Sequence, residues 1–191
     1  RRVLPSLPEI TYKDRPKLIL DFDIETVAAG FADPAWVPQD VTCIAWSWIG
    51  KEKVSSVTRL DGAEKMLVRF LEEYERADIL TGHNIIRFDL PVLNAEVIRH
   101  GLPALGPKMV QDTMRLPKSK GLKKGQDVLG KMLGTPTDKL PLNWWEWRDA
   151  YNEPGWKTVV LRCEGDVIQH KQIRQRMQER NLLAAPRMWR P

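Results

Sequence analysis

Residues 20–26 (LDFDIET) constrain this chain most, because they place three carboxylates at two-residue spacing within a stretch typical of a buried β-strand. Side chains alternate along a strand, so the apolar residues share one face and Asp21, Asp23 and Glu25 share the other. Two ionised carboxylates about 4 Å apart repel by roughly 4 kcal/mol at an effective dielectric of about 20. The acidic face is therefore expected to bind a divalent cation. The alternative is an edge strand with one face in water.

Size and composition favour one globular domain. The chain has 191 residues, of which 42% are hydrophobic and 29% charged, and no apolar stretch approaches the roughly 20 residues that span a bilayer. The net charge of +5 favours a polyanionic partner without proving one. Cys43 and Cys163 are far apart and support neither a zinc site nor a disulfide framework, so we expect a reducing, cytoplasmic location in a bacterial or phage-encoded protein.

The order of apolar patterns predicts a mixed α/β fold. The predicted strands lie at about 17–25, 41–49, 53–60, 77–81 and 108–111. The predicted helices lie at about 61–76, 89–100, 127–133 and 156–180. The first three strands form an antiparallel meander, the later two are parallel, and the resulting five-stranded sheet carries helices on both faces. We expect residues 1–16 to form an extended arm, 17–185 a single domain and 186–191 a C-terminal tail.

Three separate segments carry acids in distinctive patterns, namely residues 22–26 (FDIET), 81–93 (TGHNIIRFDLPVL) and 162–167 (RCEGDV). Together they resemble the DEDD superfamily of 3′→5′ exonucleases, which are DnaQ-like and have a ribonuclease-H-like fold. The match is closest to proofreading domains of the family B polymerase type, whose motifs are FDIET, GxNxxxFDxPxL and YCxxDV. The resemblance covers roughly residues 17–180. It implies a nuclease that releases nucleotides from a 3′ end with two divalent cations, Mg²⁺ or Mn²⁺.

The resemblance assigns four acids to the metals. Asp23 would bridge both cations, and Asp89 would hold the second metal, partly through water. Glu25 and Asp166 would complete the site of the metal that holds the attacking water. Carboxylates suit these ions, which prefer hard oxygen ligands, and two cations roughly 3.5–4 Å apart stabilise an in-line displacement at phosphorus. Taken singly, Asp89 is also consistent with a helix cap and Asp166 with a solvated helix residue, while Asp21 is expected to support this cluster or to face solvent.

The third segment departs from the family pattern at the residue that orients or deprotonates the water. The family has Tyr four residues before the last Asp, or His five before it, whereas this chain has Arg162 and Leu161. Arginine stays protonated at any working pH, so Arg162 cannot act as a general base.

Three interpretations of this departure are open. In the first, the reaction needs no side-chain base, and Arg162 binds the scissile phosphate in the transition state. In the second, a histidine such as His83 or His170 takes the role. In the third, the site binds nucleic acid or metal without turnover. Arg162 then pairs with Asp166 one helical turn away, which contributes about 0.2–0.5 kcal/mol.

A strand end that enters such a site needs cations for its phosphates and flat surfaces for its bases. A basic loop supplies Lys123 and Lys124, and a tryptophan cluster supplies Trp144 and Trp145. The alternatives are a solvated loop for the lysines and core packing for the tryptophans. The remaining predicted contacts, which adjoin the matched acids, are Thr26, Asn84 and Phe88. Phe88 either wedges the terminal bases or packs in the core.

The sequence thus predicts a two-metal 3′→5′ exonuclease that acts on DNA, with single strands favoured. The DNA preference rests only on the resemblance, which also points to replication or repair proteins as further partners. The alternatives are an exoribonuclease, a weakened or inactive nucleic-acid-binding module, and a structural subunit that keeps the fold for protein contacts. Because the first residue is Arg and the chain ends soon after its last helix, we expect either a free-standing domain or a part of a larger protein.

Overall fold

A computed structural model describes residues 15–27, 40–115, 121–141, 143 and 155–191. The strands are β1 (Ile19–Thr26), β2 (Val41–Trp48), β3 (Ser55–Thr58), β4 (Ile79–Gly82), β5 (Lys108–Asp112) and β6 (Arg187–Trp189). The helices are α1 (Ala63–Arg76), α2 (Asp89–Arg99), α3 (Gln126–Leu133) and α4 (Trp156–Glu179), and a 3₁₀ turn (Arg59–Asp61) precedes α1. Within these ranges, no helix is both long enough and apolar enough to cross a membrane. The predicted arm lies almost entirely outside them.

The strands form one mixed sheet in the order β3-β2-β1-β4-β5-β6. The first three strands pair antiparallel, and β1, β4 and β5 run parallel. The predicted mixed α/β class is thereby confirmed, and the sheet is compatible with a ribonuclease-H-like fold. Because β1 lies in the middle of the sheet, the edge-strand alternative for the acidic segment is wrong.

Within the part of the chain that the structure describes, the sheet contains six strands, one more than the sequence predicts. The additional strand, β6, pairs antiparallel with β5 and comes from the segment predicted to be a tail. It covers three residues between Pro186 and Pro191, so no alternation of apolar and polar residues is long enough to reveal it.

The two faces of β1 contact different helices. Leu20, Phe22 and Ile24 are buried in the larger core together with residues of α1 and α2, and the Phe22 and Phe70 rings lie 5.2 Å apart between centroids. The acidic face of β1 lies under α4, which also packs against β2 through a second, smaller core. Helices therefore cover both faces of the sheet, and α4 lies over the acids.

Local sequence signals mark both ends of α2. Pro91 lies in the first turn, where its missing N–H is not needed, and Gly101 follows the helix with φ of +72°. The helix therefore begins at Asp89, as predicted, and presents this carboxylate at its N-terminus.

Candidate metal centre

Three carboxylates converge where α4 crosses β1. One oxygen from each of Asp23, Glu25 and Asp166 lies within 4.8 Å of the others. Asp23 and Glu25 are partly exposed at the carboxyl end of β1, whereas Asp166 is buried on α4. We call these three residues the acid triad. Alternation along β1 directs the first two acids toward α4, and the third meets them there.

Asp89 joins the triad from the start of α2. Its Oδ1 accepts a hydrogen bond from the main-chain N–H of Ile24 at 3.1 Å, so it lies against β1 between the positions of Asp23 and Glu25. Among the charged groups around Asp23, Asp89 raises the pKa of Asp23 most. The four acids matched in the sequence are thus brought together at one end of β1.

The approach of β4 to β1 depends on Gly82. A Cβ atom at this position would lie 2.3 Å from Cγ2 of Ile85 and 2.8 Å from the carbonyl oxygen of Phe22. No side chain can be accommodated at these distances without movement of the backbone. Glycine therefore lets the segment before Asp89 pass close to the acidic strand.

The same segment is held by Asp112, a residue that sequence analysis missed. Its carboxylate accepts hydrogen bonds from the main-chain N–H groups of Asn84 and Ile86 at 2.9 and 3.1 Å, and from that of Met114 at 2.9 Å. These bonds fix Asn84, which adopts φ of +68°. The sequence signal that could have identified Asp112 is its position directly after the predicted parallel strand at 108–111.

Loss of hydration and mutual repulsion raise the pKa values of the acids. Burial raises the pKa of Asp23, and the charges of Asp89, Asp166 and Glu25 raise it further. Burial, followed by the charge of Asp166, raises the pKa of Glu25 to about 7. Burial also raises the pKa of Asp89 to about 7, against two main-chain hydrogen bonds that lower it. Without a cation, the carboxyl groups of Glu25 and Asp89 therefore retain protons up to near neutral pH.

Among the described residues, two basic side chains contact the triad. The Lys139 ammonium forms a salt bridge with Oδ2 of Asp166, and Arg162 Nε lies 3.2 Å from Oε1 of Glu25. Lys139 was missed, since nothing in its local sequence sets it apart from other lysines. Arg162, by contrast, was a sequence candidate, and the structure places it against Glu25.

The triad fits a divalent cation because a buried carboxylate oxygen in it has no donor among the described residues. Oδ1 of Asp166 is buried and accepts no hydrogen bond from any residue that the structure describes, whereas the buried Oε1 of Glu25 is in ion-pair contact with Arg162. Buried carboxylate oxygens without donors are costly unless a cation coordinates them. Asp23, Glu25 and Asp166 therefore form a suitable oxygen ligand set for Mg²⁺ or Mn²⁺.

The acids line a cleft of about 440 Å³. Its other lining residues include His83, Asn84, Phe88, Gln126 and Lys139. Asn84 and Phe88 thus lie where substrate contacts were predicted, although Phe88 also packs against the core. A wider groove of about 940 Å³ along α4 contains none of the four acids.

The other predicted contacts lie at the margin of the cleft or outside the described residues. Thr26 ends β1 just beyond Glu25, and the exposed Lys123 and Lys124 precede α3. Trp144 and Trp145 fall within the stretch that the structure does not describe.

A second polar cluster lies beside the first and joins Asp21, His170, Thr113 and His83. His170 Nδ1 lies 2.7 Å from Oδ2 of Asp21, and its Nε2 lies 2.9 Å from the Thr113 hydroxyl. That hydroxyl also lies 3.0 Å from Nδ1 of His83. We call these four residues the histidine network. Asp21 is buried and partnered, so of the two alternatives for this residue, a position that faces solvent is wrong.

The two histidines differ in their access to the cleft. His170 is 2% exposed and both of its ring nitrogens contact protein groups, so it faces the interior. His83 lines the cleft, and burial followed by the nearby charge of His170 lowers its pKa to about 4. His83 is therefore neutral at pH 7.

The fold is similar to part of a solved structure, although the two sequences share little identity. The structure is similar to the family B DNA polymerase from the hyperthermophilic archaeon Pyrobaculum calidifontis, with a TM-score of 0.66 and 16% sequence identity. The match covers 86% of this chain and 25% of the polymerase chain, so this chain spans about a quarter of that protein. At this identity the likeness shows the fold alone. No protein-family model and no curated protein sequence matches the chain.

Proposed function

We propose that this chain is a 3′→5′ exonuclease that uses two divalent cations, Mg²⁺ or Mn²⁺, to release nucleotides from single-stranded DNA. The observation that carries this proposal is the acid triad, with a buried oxygen of Asp166 that lacks a donor among the described residues, beside Asp89 in an open cleft. The motif resemblance and the structural likeness to a family B DNA polymerase support the same class of substrate.

Each acid has a proposed role in binding the cations. Asp23, at the centre of the four acids, would contact both ions, with Glu25 and Asp166 on one side and Asp89 on the other. When bound, the cations supply Lewis-acid stabilisation of the negative charge that develops on the phosphate oxygens. Asp89 begins α2, whose N-terminus adds favourable potential for a phosphate group.

Arg162 and His83 are the candidates for contact with the phosphate and for proton transfer. Arg162 lies beside Glu25 and stays protonated, so it suits a phosphate oxygen and cannot accept a proton from water. His83 lines the cleft and is neutral at pH 7, so of the two candidate histidines it is the one that reaches the cleft. With a pKa of about 4 it would be a weak base, which favours a reaction without a side-chain base.

A second candidate function is binding of a nucleic-acid end without turnover. The observation that favours it is the pair of contacts from Lys139 and Arg162 onto the acids, because these cations occupy carboxylate oxygens that a catalytic metal would use. In that case the cleft would still recognise a strand end, and the acids would serve to order the basic side chains.

Degradation of labelled oligonucleotides separates these functions and tests the substrate. Single strands of DNA and RNA with matched sequence, labelled at the 3′ end, are incubated with Mg²⁺ or Mn²⁺ and analysed on a gel. We expect release of the label from DNA by the wild-type protein and by Asp61→Ala, which removes an exposed acid on the 3₁₀ turn. We expect none from Asp23→Ala. Equal release by Asp23→Ala would reveal a contaminant.

The release and binding results distinguish the DNA exonuclease from the alternative functions. Faster release from RNA than from DNA would favour the exoribonuclease. Binding of the strand without any release would favour the non-catalytic module. Arg162→Tyr then probes the departure from the family pattern, since a faster variant would support an active site that works without a side-chain base.

A further inference from the structure

Lys139 is held at the acid triad by its own stretch of chain. Its neighbour Leu140 accepts a hydrogen bond from Arg162 through the main-chain carbonyl at 2.6 Å. Two residues earlier, the Thr137 carbonyl accepts a bond from Gln169 at 3.0 Å, and the Thr137 N–H donates to Gln172 at 3.2 Å. The backbone on both sides of Lys139 is therefore anchored to α4, unlike that of a freely moving surface lysine.

The position of Lys139 matters because of the charges around it. The four acids carry four negative charges when ionised, and Lys139 and Arg162 offset two of them. One divalent cation would then balance the remainder, whereas two would leave an excess of positive charge. The two oxygens of Asp166 differ in their partners. Lys139 contacts Oδ2, whereas Oδ1 has no donor among the described residues.

We propose that Lys139 is a resident counter-ion of the acid triad that competes with a divalent cation for Asp166. This inference rests on the proposed function, because it concerns the same metal site. It assigns Lys139 as a positioning residue that sets metal affinity: the free protein binds its cations weakly as long as the ammonium remains on the carboxylate. Removal of the lysine charge should therefore strengthen metal binding, although it removes a native salt bridge.

Calorimetric titration of metal-stripped protein with Mn²⁺ at pH 7.5 tests the inference. We expect Lys139→Gln to bind Mn²⁺ about tenfold or more tightly than wild type, because a cation no longer opposes the incoming ion. Lys139→Arg keeps the charge and should bind as wild type does. Arg176→Gln is the control, since Arg176 forms an exposed salt bridge with Glu179 at 3.2 Å near the end of α4, outside the cleft. Its Mn²⁺ affinity should not change.

Further variants keep the test decisive. Lys139→Met retains the aliphatic stem and serves if the glutamine variant does not fold. Bound Mn²⁺ should also raise the Tm of either neutral variant more than that of wild type, since tighter binding stabilises the folded state more. An unchanged or weaker affinity in the neutral variants would overturn the role of Lys139.

Asp23→Asn distinguishes the failure of this inference from failure of the proposed function. If wild type binds Mn²⁺, Asp23→Asn does not, and the Lys139 variants match wild type, only the inference about Lys139 fails. If neither wild type nor the Lys139 variants bind Mn²⁺, the proposed metal centre fails as well.

Discussion

Two acids on the same face of β1, two residues apart, have opposite surroundings. Both carboxylate oxygens of Asp21 lie within 2.8 Å of Nδ1 of His170, inside the histidine network. Asp23 lies in the cleft, where burial and three other acids raise its pKa. The strand, the face and the residue type are the same, and only the partners differ.

This difference separates a structural acid from one that is available to a ligand. The protein itself supplies the partner of Asp21, and the carboxylate is satisfied. At the acid triad, Oδ1 of Asp166 has no donor among the described residues, and the basic side chains Lys139 and Arg162 offset only part of the charge. A buried carboxylate that lacks a protein partner indicates a site for a cation.

The largest expected effect comes from removal of the central acid of the triad. Asp23→Asn should lower metal-dependent release of the 3′ nucleotide by at least about 10³-fold, because several kcal/mol of charge stabilisation in the transition state are lost. Without metal, the same variant should unfold at a higher temperature, since it relieves repulsion among the acids. Gel assays and thermal unfolding measure the two effects. Loss of stability together with retained activity would contradict the assignment.

A substitution in the histidine network should affect stability and the metal site in the opposite way to Asp23→Asn. His170→Ala leaves Asp21 buried without its partner, which should lower the free energy of unfolding by roughly 3 kcal/mol. Mn²⁺ affinity of the folded variant should stay near the wild-type value, because the acid triad is left intact. Denaturant unfolding and calorimetric titration measure these quantities. A large loss of Mn²⁺ affinity with little change in stability would show that the two clusters act as one.

The pH dependence of stability should also report on the acids. The pKa values of Glu25 and Asp89 rise to about 7 in the folded protein, from ordinary values of 4.5 and 3.8, so the folded state holds protons that the unfolded state has lost. Stability therefore falls as pH rises through 7. His83 opposes this trend only up to its ordinary pKa of 6.5, below which the unfolded chain binds a proton that the folded protein excludes.

Thermal unfolding between pH 6.5 and pH 8 isolates the effect of the acids. We expect the Tm of metal-free protein to fall across this interval and the fall to be smaller with saturating Mg²⁺, because the cation replaces the protons. Asp23→Asn should show a shallower fall without metal. A Tm that rises across this interval in metal-free wild type would contradict the assigned pKa directions.

The smallest effect is expected at the margin of the cleft, away from both clusters. Replacement of Lys123 and Lys124 by Gln should weaken the salt dependence of single-strand binding, with the slope against log salt reduced by roughly 0.7 for each lost phosphate contact. Metal affinity and stability should stay unchanged. A binding slope equal to that of wild type would exclude these lysines from the substrate site.

Much of the fold and the gathering of the acids could be predicted from local patterns. Alternation in β1 and the helix signals around Pro91 and Gly101 depend on near neighbours, and they predict the acidic face and the first residue of α2. The partners could not be predicted in this way. Asp21 meets His170 from a distance of 149 residues, and Lys139 meets Asp166 across the connection between α3 and α4.

The most direct test of the metal centre is anomalous diffraction from crystals of the protein soaked in Mn²⁺. We expect an anomalous peak among the carboxylates of Asp23, Glu25 and Asp166, and no peak at Asp21. Absence of a peak at the triad in crystals that show Mn²⁺ elsewhere, or a peak within the histidine network, would contradict it.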